Sequence, residues 1–403
     1  MRLHVGFVSR FPPVKCGVGE YAAYLARALL AVEPGIRVTV FSTREAGSEP
    51  YEAHGVRVVP AYDRLADDYG GLLEALRDVG GVDVLHLHHE YGIYGDGPAV
   101  FEAMVEARRR GLAGAAVATL HTVYHPRGVE GGKEERLAAQ AAASRLDAVV
   151  VHSVLQEFEL YSQGVPADRV RRIPHGTSVN PYTGENPDRL LEGLGVEPSE
   201  APRPRLVAPG FLRPDKGLFT LLEAAGLLRG EGFRGSVLVA GEEQGRGGAA
   251  VAERLRGAAR RGDVVLLHRY LSGDELLRLM AAADVLVLPY EDRPGKYSVS
   301  GVLHLAMGSL KPLVGTRVPR LIELYQYAPR LVVAPRSPRG LARLVSWVLE
   351  NYDYSVAYMS GLYGYAVRTL WARVARRHLA LYEGLAAAQH RVGFQNHTGL
   401  SGS

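Results

Sequence analysis

RLVAPGFLRPDKGLFTLLEAAGLL, residues 205–228, sets the reading of the whole chain. An apolar run stops at Gly210, a turn carries Arg213 and Lys216, and Gly217 opens a helical pattern. A buried strand that passes through a glycine turn into a helix is the repeating unit of a parallel α/β sheet. The turn also puts two cations beside the free N–H groups of a helix start, which makes a seat for a diphosphate. Unlike charges ~4 Å apart attract by about 4 kcal/mol at an effective dielectric near 20, enough to stabilise a departing dianion. A solvated turn with unrelated charges is the plainer alternative.

The same rhythm extends in both directions. Upstream, LHVGFVS (3–9), RVTVFST (37–43), VRVVP (56–60), VDVLHLH (82–88), AAVATLH (115–121) and DAVVVHS (147–153) read as strands. Between them lie helical patterns such as EYAAYLARALLAVE (20–33), closed by Pro34-Gly35. Downstream come SVLVAG (236–241), DVVLLH (263–268), DVLVLPY (284–290), KPLVGT (311–316) and RLVVAP (330–335), each followed by a helical segment. Strands this rich in Val, Leu and Ile belong to sheets covered on both faces, the doubly wound α/β arrangement. The rhythm breaks over 177–204, which holds five prolines and little periodicity. The expected organisation is two Rossmann-like domains, 1–178 and 205–352, joined by a linker at 179–204. Helices over 353–388 and a flexible polar tail at 389–403 complete it. In open parallel sheets, ligands bind beyond the carboxyl ends of the strands, so the residues after each strand are the candidate site.

Composition narrows the function. With 403 residues, 47% of them hydrophobic and 22% charged, the chain is globular rather than disordered. Its 47 Lys and Arg against 43 Asp and Glu leave a net charge of +4 with no basic tail, so nucleic acid is not an expected partner. The single cysteine, Cys16, excludes an intrachain disulfide framework and a cysteine-based zinc cluster. No run approaches the ~20 apolar residues of a membrane span, and MRLHVGFVSRFPP turns polar too soon for a secretory signal. The expected location is the cytoplasm, with at most peripheral membrane contact through Arg108-Arg109-Arg110 or Arg169, Arg171 and Arg172. Oligomeric state is not readable.

A second anion-binding string is YSVSGVLHLAMGSLKPLVGT (297–316), where Ser298, Ser300, Gly301 and Val302 precede or begin a helix. An ordinary helix cap is the alternative. In the first domain, His86, His88, His89 and Glu90 gather at a strand end, with Tyr91 and Tyr94 just beyond. Hydrogen bonds to sugar hydroxyls suit such a cluster better than a metal does, and the tyrosines are candidates for stacking on an acceptor sugar. Gly17-Val18-Gly19-Glu20-Tyr21-Ala22 mimics the dinucleotide fingerprint. Its first glycine stands too far from the strand ending near Ser9, and RVTVFST ends without a ribose-binding acid, so a nicotinamide cofactor is not expected.

Taken in order, these strings resemble the family-4 retaining glycosyltransferases of the GT-B fold. The pieces carrying the resemblance are PPVKCGVGEYAAYLARAL (12–29), HHEYGIYG (88–95), TLHTVYH (119–125), VHS (151–153) and IPHGTS (173–178) in the first half. In the second half they are GFLRPDKG (210–217), VLVAGE (237–242), LSGDELLRLMAAADVLVLPYED (271–292) and SGVLHLAMGSLKPLVGT (300–316). The CGVGEY and HHEYGIYG strings resemble one subgroup found with mannoside-processing enzymes. The resemblance implies two domains facing a cleft, with a terminal helix crossing back to the first.

It also implies roles residue by residue. Lys216 matches the lysine that holds the donor's diphosphate. Phe211 stands where relatives carry an arginine, which leaves Arg213 to replace it. His121 matches the histidine near the donor sugar, and Gly17 and Gly19 match the glycine loop that approaches sugar and phosphate. Gly210, Glu291, Ser298, Ser300, Gly301 and Val302 complete the expected donor site; Glu20, His89, Glu90, Tyr91 and Tyr94 form the acceptor side. The glutamate pair usual in the family is absent, since its positions fall on Tyr297 or Ser298 and on Leu305 or Ala306.

The expected activity is transfer of a hexose, mannose or glucose, from a nucleotide sugar to a carbohydrate acceptor with retention. GDP-mannose leads UDP-glucose as donor, and the mechanism is a front-face substitution needing no metal or other cofactor. A noncatalytic nucleotide-sugar or glycan binder and a nucleotide-sugar epimerase are the alternatives.

Overall fold

Each predicted apolar run becomes a strand. The computed structural model describes residues 2–129 and 134–398 and divides the chain into two compact units. The first comprises residues 1–176, Pro294–Val299 and the segment from Trp371 onward; the second comprises 177–293 and 300–370.

The first unit is built on β1 (His4–Val8), β2 (Arg37–Thr43), β3 (Tyr51–Ala53), β4 (Val56–Tyr62), β5 (Val82–His89) and β6 (Ala113–Leu120). A short β7 (Thr122–Tyr124) stands apart, and β8 (Ala148–Val151) and β9 (Val170–Arg172) complete the set. The sheet runs β3-β4-β2-β1-β5-β6-β8-β9 and is parallel except for β3. The order reverses between β1 and β5, so the loops after these two strands meet at the switch point. Apolar clusters cover both faces, as continuous Val and Leu in the strands require.

The second unit has a six-stranded, wholly parallel sheet. Its members are β10 (Arg205–Pro209), β11 (Ser236–Ala240), β12 (Val265–Leu267), β13 (Val285–Leu288), β15 (Leu313–Thr316) and β16 (Val332–Val333). The order β12-β11-β10-β13-β15-β16 puts its switch point between β10 and β13. One core cluster fills this unit.

Four expectations about boundaries change. The proline-rich stretch 179–204 is not a free linker. Asn186 caps a helix over Pro187–Glu192 through its side-chain oxygen, Pro187 occupies the first turn, and Leu190, Leu191, Leu194 and Val196 enter the second unit's core. The helices Tyr352–Tyr358 and Ser360–Arg368 also stay with the second unit, whose core takes Met359, Leu362 and Ala366. Only the helix from Trp371 joins the first unit, lying along the helix Gly17–Val32 and against β5 and β6. Trp371 stacks on Tyr24 with centroids 5.5 Å apart, and Tyr382 bonds His86 Nδ1 at 2.6 Å. This helix runs to Thr398, well past residue 388; residues 399–403 of the expected tail lie outside the described residues.

The fourth change is the segment Pro294–Val299, which leaves the second unit. Its β14 (Lys296–Ser298) pairs antiparallel with β7, setting Ser298 opposite Thr122. Gly295 and Gly128 allow this approach, because a Cβ on Gly128 would lie 2.3 Å from the Gly295 carbonyl oxygen. Among the described residues no helix is long and apolar enough to cross a membrane.

Candidate functional site

In the second unit the site grows from the two strands flanking the switch point. After β10 the chain turns through Gly210 and a 3-10 helix, Pro214–Lys216, into the helix Leu218–Gly230. Gly217 makes the turn possible: its φ is 63°, and a Cβ there would lie 1.7 Å from the carbonyl oxygen of Pro289. The turn is therefore pressed against the end of β13. That contact carries Lys216 to Tyr290, whose hydroxyl accepts from the lysine Nζ at 2.7 Å. Burial, with Arg320 and Arg213 adding like charge, holds the Lys216 ammonium well below the usual lysine range.

Arg213 is not a bare cation. It binds Asp215 with two nitrogens, at 2.9 and 2.5 Å, and reaches Gln244 at 3.3 Å. Counting it as a full positive charge overlooks its neighbour two residues along. The balance is restored by Arg320, which sequence reasoning missed. This buried guanidinium bonds Asp215 at 2.7 Å, pairs with Asp292 and lies 4.7 Å from the Tyr290 ring centroid. Burial would raise the Asp215 carboxyl, but the Arg213 hydrogen bond and the charges of Arg320, Arg213 and Lys216 outweigh it and hold it well below the usual carboxylate range. Three cations against Asp215 and Asp292 leave one positive charge when Lys216 is protonated. Both missed groups stand where the rule of strand ends points: Tyr290 closes the β13 run, and Arg320 follows β15.

Glu291 accepts from the Thr220 hydroxyl at 2.6 Å and pairs with the exposed Arg336 at 3.1 Å. Asp292 is committed to Arg320 through side chain and backbone. Ser300 caps the short helix Gly301–Met307, accepting from Leu303 N at 3.2 Å, and lies 3.1 Å from the Tyr290 hydroxyl. Gly301 and Val302 form the first turn of that helix, and Val302 closes over Gly210. Ser298 is counted with the first unit, where it lies in β14 opposite Thr122.

In the first unit, His121 follows β6 directly, and its backbone N–H bonds the His89 carbonyl at 3.1 Å. Its ring meets Tyr21 edge-on at 4.8 Å, and Tyr21 is also ringed by His88, His152, His175 and Trp371 within 5.5 Å. His121 Nε2, both ring nitrogens of His88 and the Tyr21 hydroxyl are buried without hydrogen-bond partners. Burial and the neighbouring histidines keep His121 and His88 well below the usual imidazole range, so both are neutral at pH 7. Gly19, in the first turn of the helix from Gly17, passes close to the Arg10 carbonyl, whereas nothing crowds Gly17.

The expected acceptor platform does not form. Tyr91 is 5% exposed, and its hydroxyl bonds Gln140 at 3.1 Å. Tyr94 is 3% exposed and bonds Tyr62 and the Val8 carbonyl, both at 3.0 Å. His89 is fully buried against Phe101 and Tyr94, on the face of β5 opposite His86 and His88. These three side chains build the core behind the site. Glu90 accepts from Thr122 at 2.8 Å, and Glu20 is partly buried on the helix from Gly17. Among the described residues, no group of three or more His, Cys, Asp or Glu is arranged to hold a metal ion.

Comparison with known proteins matches each half separately. The family model described as Glycosyltransferase Family 4 covers residues 16–180, and that described as Glycosyl transferases group 1 covers 203–351. No protein of curated function matches the sequence at a significant level. Among solved structures, HepE of Anabaena in complex with UDP is similar at 16% identity and a TM-score of 0.71, over 95% of this chain and 100% of that one. Sucrose-phosphate synthase of Thermosynechococcus elongatus is similar at 18% identity and 0.72, over 96% and 100%. A UDP-forming trehalose-phosphate synthase of Burkholderia xenovorans matches at 15% and 0.72, over 95% and 99%.

Proposed function

Since the chain belongs to the family-4, group-1 glycosyltransferases and has their GT-B fold, we propose that it transfers a hexose from a nucleotide sugar to a carbohydrate acceptor with retention. The observation that carries the reading is the buried Lys216 ammonium at the second sheet's switch point, flanked by Arg213 and Arg320. A diphosphate brought there meets one net positive charge in a site of low dielectric, where a fixed cation counts for more than in water.

The reading gives the diphosphate to the second unit and the sugar's approach to neutral His121 of the first. As a neutral imidazole, His121 offers one donor and one acceptor to hydroxyls instead of a charge. The leaving phosphate takes the acceptor hydroxyl's proton on the face it departs from. The arginines and Lys216 neutralise the phosphate, the part a divalent metal plays elsewhere.

UDP-glucose now stands ahead of GDP-mannose as the donor to test first. HepE was crystallised with UDP and with UDP-glucose, and the Burkholderia synthase is UDP-forming. Acceptor and linkage are left to experiment.

The test is a panel of UDP-, GDP- and ADP-sugars with mono- and oligosaccharide acceptors, followed by nucleotide release and product analysis. Acceptor-dependent release that is lost in Lys216→Ala, with the melting temperature preserved, is the expected result. Wild-type turnover in Lys216→Ala removes the diphosphate assignment. Binding of a nucleotide sugar without release, whatever the acceptor, supports the noncatalytic reading that the missing glutamate pair favours. Conversion of the donor without an acceptor supports an epimerase.

A further inference from the structure

Tyr290 touches Lys216, Ser300 and Arg320 at once. Its hydroxyl accepts from Lys216 Nζ at 2.7 Å and is 3.1 Å from Ser300 Oγ. Its ring lies 4.0 Å from the same Nζ and 4.7 Å from the Arg320 guanidinium. Its backbone carbonyl is fixed by the Thr316 hydroxyl at 2.6 Å, and the residue is 1% exposed. A tyrosine so placed cannot turn away.

The lysine is the opposite case. Four rotatable bonds leave its ammonium free to wander unless something holds it. An ammonium has three donors; Tyr290 takes one, and among the described residues no other group accepts from it. The ring beneath adds a cation–π attraction, which strengthens when water is excluded.

We propose that Tyr290 is a positioning residue for nucleotide binding, its hydroxyl and ring holding the Lys216 ammonium aimed at the diphosphate with two donors left for the phosphate oxygens. The proposal rests on the assignment of Lys216 to the diphosphate.

It has a consequence for pH. Lys216 faces Arg213 and Asp215 from its own turn, Tyr290 and Asp292 from the segment after β13, and Arg320 from the turn after β15. Burial and the two arginines disfavour its charge; the Tyr290 hydroxyl, as acceptor, supports it. Without that hydroxyl the ammonium gives up its proton at lower pH.

The experiment measures binding of UDP, GDP and inorganic pyrophosphate by calorimetry, from neutral to alkaline pH, in wild type, Tyr290→Phe and Lys216→Ala. Tyr290→Phe keeps the ring and removes the oxygen. It is expected to weaken binding of whichever probe the wild type takes by about tenfold, the scale of a hydrogen bond to a charged group. Its alkaline loss of binding is expected at lower pH than in wild type, with the melting temperature unmoved. A role confined to packing would leave that midpoint in place. Wild-type affinity and an unshifted midpoint in Tyr290→Phe, with binding lost in Lys216→Ala, overturn the positioning role and leave the diphosphate assignment standing. Full binding by Lys216→Ala, or a wild type that binds none of the probes, overturns both. Should Tyr290→Phe fail to fold, Ser300→Ala, which removes the hydroxyl beside Tyr290, is expected to move affinity and midpoint in the same direction; no change there overturns the proposal.

Discussion

Buried Arg320 and partly buried Asp215 form an ion pair across 105 residues of sequence, with Arg320 Nη1 at 2.7 Å from Asp215 Oδ2. Arg213 Nη2 reaches the same oxygen at 2.5 Å. One carboxylate thus serves two guanidiniums, and Arg320 Nη2 is shared between Asp292 and the Asp215 carbonyl, while its Nε is buried without a partner. Because Arg320 also bonds Asp215, a rotation of Arg213 away from it would not leave that carboxylate without a partner.

Arg320→Leu should therefore cost more than one contact. It leaves Asp292 and Asp215 partly buried and short of a partner, a loss of about 3 kcal/mol by analogy with broken buried pairs. Urea unfolding of the full chain measures it. The substitution also ties Arg213 more firmly to Asp215, so UDP binding is expected to weaken in parallel. Unfolding free energy within about 1 kcal/mol of wild type would show that the pair is solvated, as surface pairs are.

Glycine substitutions separate backbone need from ligand approach. Gly217→Ala forces a methyl onto the Pro289 carbonyl in a left-handed conformation, so the turn must rearrange. A melting temperature lower by several degrees is expected, matching a loss of about 2 kcal/mol or more. Gly17→Ala meets nothing within 4 Å. Its fold should be unaffected, so any drop in transfer by this variant reports the closeness of sugar or phosphate to the loop. A destabilised Gly17→Ala would remove that reading.

The sheets were legible because buried parallel strands must be apolar throughout, and LHVGFVS or DVLVLPY admits little else. The turn after β10 was legible for a related reason: Gly210 and Gly217, both at positive φ, have backbone requirements that few other residues meet. Facing directions were less visible. HHEYGIYG stands at a strand end, yet Tyr94 turns its hydroxyl back to the Val8 carbonyl, and the one-residue step from His88 to His89 puts the latter in the opposite core. Long-range pairing was hidden altogether. Nothing in VPRL announces that Arg320 closes an ion pair with the β10 turn, nor does KYS announce a strand for β7. Such choices are made by tertiary contacts, and local pattern carries no trace of them.

His89 gives the sharpest check on the revised acceptor side. Both ring nitrogens are buried without partners, and burial pushes the imidazole down to about 3. A base whose folded value lies below its unfolded value, about 6.5, draws a proton onto the unfolded chain first. Stability is therefore lost as pH falls below about 6.5, at about 1.4 kcal/mol per pH unit for each such histidine, and is unaffected above it. His89→Phe removes this contribution. Between pH 7 and pH 5 the variant should lose about 2 kcal/mol less than wild type. At pH 7 it should be at least as stable, since two unsatisfied nitrogens give way to an apolar ring beside Phe101. Urea unfolding at both pH values measures the difference. An unchanged pH slope, together with a raised KM for the acceptor, would return His89 to the substrate and undo its placement in the core.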